Sequence, residues 1–257
     1  MAMDGYTRWS GRIALVTGAS GGIGEHIARA LAGIGMKVAV VARRRQRLEV
    51  LAADLSKNGA QVMVCEGDVG AEADVLAIFK AIEQRWGTVD VLVNNAGTGM
   101  MSTLEAGHWQ DWCDTLHINV AAPALCVREA LRGMHSKDEA QIINLSSIYA
   151  HRDQVTNFSF YQASKFAVRA LTDTLRAELA SKGTQGTRVR VGMISPGMVA
   201  TEFRGRASGG KFSYESYFEK FKPLLPSDIS DAVLYMLSTP PHVQVQDILL
   251  SPMGQGL

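Results

Sequence analysis

The sequence predicts a doubly wound α/β domain, a parallel sheet with helices on both faces. Three observations carry this expectation. Short apolar runs alternate with segments of helical period along the 257 residues. The first run, Ile13-Ala14-Leu15-Val16, leads at once into the glycine-rich turn Thr17-Gly18-Ala19-Ser20-Gly21-Gly22-Ile23-Gly24 and then into a helical pattern through Leu31. Polar residues and glycines recur just past the carboxyl ends of the runs, where open parallel sheets bind their ligands. With no internal repeat, low-complexity tract or linker, residues 1–257 are expected to form a single domain.

In chain order, Gly18, Gly22 and Gly24 let the backbone approach a pyrophosphate closely, and the helix that follows offers free N–H groups and its positive dipole end. Ser20 and Ile23 belong to the same turn. The spacing is Gly-x3-Gly-x-Gly, unlike the common dinucleotide fingerprint, and a plain structural turn is the alternative. Val38–Val41 reads as the second strand. NAD-binding sheets usually carry an acidic residue at its end, but here Ala42 stands there, followed by Arg43, Arg44 and Arg45. A planar cation suits a 2′-phosphate, with Ser20 as an added hydroxyl donor; a solvated basic helix start, running from about Gln46 to Lys57, is the alternative. Gln61–Cys65 is the third strand, with Asp68-Val69 past its end and a helix over about Ala71–Trp86. Val89–Val93 is the fourth, ending in Asn94-Asn95-Ala96-Gly97. Asp68 reads equally as a helix cap and the asparagines as a turn.

Trp109 to about Met134 is helical in pattern, with Asn119 in its interior, an unusual place for an asparagine. Gln141–Leu145 is the fifth strand and ends at Ser146-Ser147. After a loop, Ile148–Ser159, a helix carries Tyr161 and Lys165, whose four-residue spacing stacks them on one face. Its stripe Ala167, Leu171, Leu175 and Leu179 is expected to face the core. A phenol, with a free pKa of about 10, is a poor acid-base catalyst near neutrality, and a neighbouring ammonium lowers that value. Val189–Ile194 is the sixth strand, followed by Ser195-Pro196-Gly197-Met198-Val199-Ala200-Thr201. An aromatic and glycine-rich segment runs from Glu202 to Phe221. Pro226–Leu237 is the last helix and Asp247–Leu250 the last strand.

Composition narrows the function classes. Lys plus Arg is 26 against Asp plus Glu 25, so no electrostatic case for nucleic acid arises, and no aromatic platforms surround the Arg43–Arg47 cluster. Hydrophobic residues at 47% suffice for a sizeable core. Cys65, Cys113 and Cys126 show no metal-ligand spacing, so reduced structural thiols in a cytoplasmic setting are expected, with no metal. The polar N-terminus reads as neither signal peptide nor membrane span, and no apolar run approaches the ~18 residues a spanning helix needs.

Together these residues resemble the classical short-chain dehydrogenases/reductases. The matching pieces are Thr17-Gly18-x3-Gly22-Ile23-Gly24, Asp68, Asn94-Asn95-Ala96-Gly97, Asn119, Ser147, Tyr161-x3-Lys165 and Pro196-Gly197 with Thr201. The resemblance implies a Rossmann-like seven-stranded sheet, ordered 3-2-1-4-5-6-7. It assigns a cofactor half to about 11–145 and a catalytic and substrate half to about 146–257. By it, Tyr161 is the general acid/base, Ser147 bonds the substrate oxygen, Lys165 holds the nicotinamide ribose, and Asn119 anchors a water in the proton relay. The implied cofactor contacts also include Val69, Asn95, Ala96, Gly97, Pro196, Gly197, Val199 and Thr201. The spacing from Ser147 to Tyr161 is one longer than the commonest form, which leaves Ser146 as a second candidate serine, and Ala150 stands where many members have glycine. Trp9, His151-Arg152 and Leu237-Ser238-Thr239-Pro240 resemble the subgroup of insect farnesol dehydrogenases and vertebrate NADP-dependent 3- and 17-ketosteroid reductases.

The resulting expectation is an NADP(H)-dependent alcohol dehydrogenase or carbonyl reductase. Met100, Met101, Tyr149, His151, Phe158 and Phe203, with Phe160 nearby, are candidate walls of a lipophilic pocket with few charges. Reduction of small ketones or diketones, and a cofactor-binding regulator without turnover, are the alternatives. By analogy with the family, a homodimer or homotetramer is expected, paired through the helices near 109–134 and 161–181.

Overall fold

In the computed structural model, which describes residues 4–152, 157–211 and 221–255, the apolar runs pair as parallel strands. They are β1 (Ile13–Thr17), β2 (Lys37–Ala42), β3 (Val62–Glu66), β4 (Val91–Asn94), β5 (Ala140–Leu145), β6 (Val189–Pro196) and β7 (Asp247–Leu250). The seven strands form one sheet in the order β3-β2-β1-β4-β5-β6-β7, as the resemblance implies. Because β1 pairs with β2 on one side and β4 on the other, the chain reverses direction across the sheet there, opening the crevice where such folds bind ligands. The register sets Thr17 beside Val41 and Asn94 beside Asn144, so the strand ends that carry the singled-out residues share one edge.

Period-two alternation feeds two cores. Ala14 and Val16 of β1 face one layer, packed by Ile27 and Leu31 of α2 (Gly22–Gly33), Leu48 and Leu51 of α3 (Arg45–Lys57), and Val233 and Met236. Ile13 and Leu15 face the other layer. There they meet Val75 and Ile82 of α4 (Glu72–Trp86), together with Met134 and Leu179 from the helices described next. Full burial of each such side chain contributes roughly 1.5–3 kcal/mol. Before α2 lies the short helix α1 (Asp4–Thr7), and the adjoining Trp9 is fully buried, its indole N–H donating to Leu237 O at 2.9 Å.

Two helices depart from expectation. The helix expected over Trp109–Met134 is not continuous: α5 (Trp109–Leu116) gives way to a wide π turn, His117–Ala121, before α6 (Ala122–Met134). Asn119 sits in that turn, where the ladder already departs from the α pattern. In α7 (Ser159–Ser181) the buried stripe is Ser164, Lys165, Val168, Thr172, Leu175 and Leu179, and Leu171 is exposed. Strict four-residue steps drift by about 40° each on a helix of 3.6 residues per turn, so Leu171 rotates out of the stripe. Past β6 lies a short helix α8 (Phe203–Ala207), and α9 (Pro226–Ser238) closes the helical layers. Residues 212–220 of the segment expected to be aromatic and glycine-rich lie outside the described residues. Among the described residues no helix is long and apolar enough to cross a membrane, and no cluster of His, Cys, Asp or Glu is arranged to hold a metal.

Candidate active site

The glycine turn is locked to the end of β4 from both sides. Thr17 Oγ1 accepts the N–H groups of Asn95 and Ala96 at 3.0 Å each. Asn95 Nδ2 donates to Thr17 O at 2.9 Å and Gly18 O at 3.2 Å. Gly18 adopts φ +67°, and a Cβ there would stand 2.9 Å from Ala96 Cα. A Cβ at Gly24 would stand 2.4 Å from Gly18 O, so the first turn of α2 rests directly on the loop. No side chain caps the N-terminus of α2 at Gly21, and its first residues border a cleft.

Past Ala42, the arginines lie where expected but with partners the sequence did not suggest. Arg43, exposed, reaches Asp68 at 3.5 Å. Arg44 folds over the glycine turn, Nε donating to Ser20 Oγ at 3.0 Å and Nη2 to Ser20 O at 3.2 Å; its Nη1 pairs with Glu202 at 3.2 Å. Arg47 also pairs with Glu202, at 2.9 Å. Asp68 is not the cap of α4; its Oδ1 accepts the Gly70 N–H at 2.9 Å in a tight turn.

Around the start of α7, Asn119 is fully engaged. Its Nδ2 donates to Thr98 O at 2.8 Å and Ser164 Oγ at 2.9 Å, and its Oδ1 accepts the Thr98 N–H at 2.8 Å. Lys165 Nζ donates to Leu145 O at 2.9 Å and stands 5.5 Å from the centre of the Tyr161 ring. Burial brings the Lys165 pKa down to about 8. Tyr161 is ringed by Phe203 at 5.3 Å, Phe158 at 5.5 Å and Tyr149 at 6.0 Å. The residue keeps some surface, yet enclosure is the largest influence on its phenol and pushes its pKa up, while a hydrogen bond with Ser147 and the charge of Arg204 pull the other way. The expected lowering by Lys165 therefore does not prevail. The two serines part company: Ser147 Oγ accepts the Tyr149 N–H at 3.2 Å and borders the same cavity as Tyr161, whereas Ser146 Oγ turns back to Lys165 O at 3.3 Å.

One cavity of about 830 Å³ connects these parts, from Arg44 and the glycine turn at one end to Ser147, Tyr161 and Phe203 at the other. Val69, Gly97, Pro196, Gly197, Val199 and Thr201 line it, as do Met100, Tyr149 and Phe158; Gly24 and Asn119 stand behind its wall. Two expected pocket residues do not line it. His151 turns away, its Nε2 3.0 Å from both Ser195 Oγ and Asp247 Oδ2, and Met101 is held outside by its N–H bond to Ala207 O at 2.8 Å. Phe160 also faces elsewhere, stacked on Trp112 at 4.4 Å. Nor is the apolar end free of charge: Arg204 and Arg206 line it, and Arg204 Nη2 donates to Tyr149 OH at 3.2 Å. Glu202, Arg204 and Gly99 were not singled out from sequence, and Arg47 entered only as the end of the basic cluster. Arg47 was within reach, since it lies one turn beyond Arg44 at the start of α3.

Comparison with known proteins places this geometry in context. The family model for short chain dehydrogenase matches residues 12–210. The chain is 40% identical over 261 residues to mouse dehydrogenase/reductase SDR family member 11, covering 99% of each. It is also 40% identical to the farnesol dehydrogenase of Aedes aegypti, over 96% of this chain and 98% of that one. Among solved structures, an alcohol dehydrogenase from Thermococcus sibiricus complexed with 5-hydroxy-NADP superposes with a TM-score of 0.81 at 32% identity, covering 93% of this chain and 95% of that one. A serine dehydrogenase complexed with NADP+ gives 0.86 at 31%, covering 95% and 96%. A match across most of the chain in sequence and in fold leaves one conclusion: the chain belongs to the short-chain dehydrogenase/reductase family.

Proposed function

We propose that this protein is an NADP(H)-dependent oxidoreductase that interconverts an alcohol and a carbonyl on a lipophilic substrate. The observation that carries the reading is that Tyr161, Ser147 and Lys165 line one end of a cavity whose other end is a glycine turn flanked by Arg44. The residues fit a dinucleotide. A Cβ at Gly18 or Gly24 would clash with the Asn95–Ala96 segment or with Gly18 O, so the turn closes as it does only with glycines there. The uncapped start of α2 suits a pyrophosphate, and Ala42 with Arg43, Arg44 and Ser20 suits a 2′-phosphate. Neighbours of the same fold complexed with NADP+ or an NADP derivative support this choice.

When bound, the nicotinamide supplies or takes up the hydride. The chain's own residues handle the oxygen. In reduction, Ser147 donates a hydrogen bond to the carbonyl, and Tyr161 delivers a proton from its hydroxyl to the oxygen as charge builds there. Lys165, with a pKa near 8, holds the ribose and bears on the phenol. Asn119 keeps the Thr98 backbone and Ser164 in place around it. Met100, Tyr149, Phe158 and Phe203 support an apolar guest such as an isoprenoid or steroid-like molecule, as does the likeness to a farnesol dehydrogenase. Arg204 on the Tyr149 hydroxyl favours a second reading, a small ketone or diketone whose further oxygen meets that cation.

The test is purified protein with NADPH and a panel of isoprenoid aldehydes, ketosteroids and small diketones, followed by absorbance. Tyr161→Phe is expected to lower turnover by at least roughly 10²-fold with little change in cofactor binding. A mutant with near-normal turnover would remove Tyr161 as the acid. Absence of turnover by the wild-type protein across the whole panel would favour the regulator, and activity confined to charged substrates would sink the lipophilic reading. We also propose a homo-oligomer, supported by the exposed Trp109 of α5 and Phe166 and Leu171 of α7. A monomeric mass by light scattering at micromolar concentration would refute it.

A further inference from the structure

The place expected of a 2′-phosphate already has an anion in it. Glu202 bridges Arg44 at 3.2 Å and Arg47 at 2.9 Å. A Cβ at Gly21 would stand 3.5 Å from a terminal nitrogen of each guanidinium, so both cations lie over the glycine turn. Arg44 has committed Nε and Nη2 to Ser20, which leaves Nη1 for an anion, and the Glu202 carboxylate holds it. The side chains of Glu202 and Arg47 are about half exposed, at 55% and 49%, so the carboxylate can swing into water without leaving a buried charge behind. The next residues of the chain, Phe203 and Arg204, cover Tyr161 and touch Tyr149.

Resting on the NADP(H) reading, we propose that Glu202 is a built-in competitor for the 2′-phosphate, that Arg47 is a second cation of that subsite beside Arg44, and that Glu202 thereby sets how strongly the protein discriminates NADP(H) from NAD(H). A phosphate monoester carries about −1.5 to −2 near pH 7, and a carboxylate already pairing the same two guanidinium groups must be displaced or must repel it. NAD(H) presents a hydroxyl there, makes no claim on the arginines, and leaves Glu202 in place. Because Glu202 directly precedes Phe203, its displacement bears on the segment that covers Tyr161.

The test compares 2′,5′-ADP with 5′-AMP, which differ only in the 2′-phosphate, by calorimetric titration of the wild type, Glu202→Gln and Arg47→Ala. NADPH and NADH titrations followed by fluorescence run in parallel, and melting curves check that each variant folds. Glu202→Gln is expected to tighten 2′,5′-ADP and NADPH by about two- to fivefold, the scale on which exposed ion pairs act, and to leave 5′-AMP and NADH unchanged. Arg47→Ala is expected to weaken only the ligands that carry the 2′-phosphate. A wild type that binds 2′,5′-ADP no better than 5′-AMP sinks the NADP(H) reading and this inference with it. A clear wild-type preference that Glu202→Gln leaves unchanged or weakens overturns the role of Glu202 alone, and unaltered binding by Arg47→Ala removes Arg47 from the subsite.

Discussion

Gly99 lies against the ring of Tyr161 so closely that a Cβ added there would stand 2.5 Å from Cδ2 and 3.1 Å from Cγ of the tyrosine. The strand-end loop after β4 thus sets one side of the position of the phenol, and Phe203 and Phe158 set others. Gly99→Ala is expected to push the ring aside. A displacement of about 1 Å at a reacting group is enough to cost up to roughly 10²-fold, so a loss of turnover of at least about tenfold follows. Gly99 is itself buried, so some loss of melting temperature accompanies the change, and turnover is compared at a temperature where both proteins are folded. Wild-type turnover from a folded Gly99→Ala protein would show that the ring is not held from this side.

Buried Lys165 makes stability depend on pH in an unusual direction. In the unfolded chain its ammonium keeps its proton to about pH 10.4. In the native protein burial lowers the pKa to about 8. Between these values the unfolded state holds the Lys165 proton more firmly than the native one, so the Lys165 contribution to native stability rises with pH there, and the penalty of burying the charged form is fully present below about pH 8. The buried thiols Cys65 and Cys126, whose pKa values are pushed up, act in the opposite sense and cancel between the two proteins compared. Measured by urea denaturation, the wild type should gain on Lys165→Met from pH 8 toward pH 10, by at most about 1.4 kcal/mol per pH unit. The comparison stops near pH 10, where Tyr161, whose native pKa is raised, begins to ionise in the unfolded chain and acts in the opposite sense. A difference between the two proteins that is flat over this range would mean that Lys165 titrates normally.

Much of this was legible in the sequence because its signals are local. The strand, glycine turn and helix at 13–33 are contiguous, and the alternation of short apolar runs with helical segments fixes the sheet class and the edge on which Asp68, Asn95, Ser147 and Pro196 collect. The choice between Ser146 and Ser147 was not local. It depends on which hydroxyl the strand end turns toward Tyr161, and β5 points Ser146 at the backbone of α7 instead. The π turn at Asn119 leaves no mark on hydrophobic period, so the helix read as continuous. His151 and Phe160 lie within two residues of pocket residues but rotate toward Asp247 and Trp112, partners far along the chain. Glu202 meets Arg47 across 155 residues, and no spacing rule spans that distance.

Cofactor choice gives the last prediction. A carboxylate at the end of β2 would bond the ribose hydroxyls of NAD and repel the 2′-phosphate of NADP; Ala42 leaves that place neutral, and Arg43 and Arg44 follow it. A charge-assisted contact of this kind is worth about 1.5–3 kcal/mol, so roughly a ten- to hundredfold preference for NADP(H) is expected. Arg43→Ala with Arg44→Ala should raise the KM for NADP(H) by most of that factor and the KM for NAD(H) only slightly. The two arginines are not equivalent: Arg44 is pinned to Ser20 by two bonds, whereas Arg43 is largely exposed and reaches Asp68 at 3.5 Å. Arg44→Ala alone should therefore account for the larger share of the effect in steady-state kinetics with each cofactor. Equal losses with both cofactors would assign the arginines to folding or to the adenine, and a wild-type preference for NAD(H) would overturn the reading.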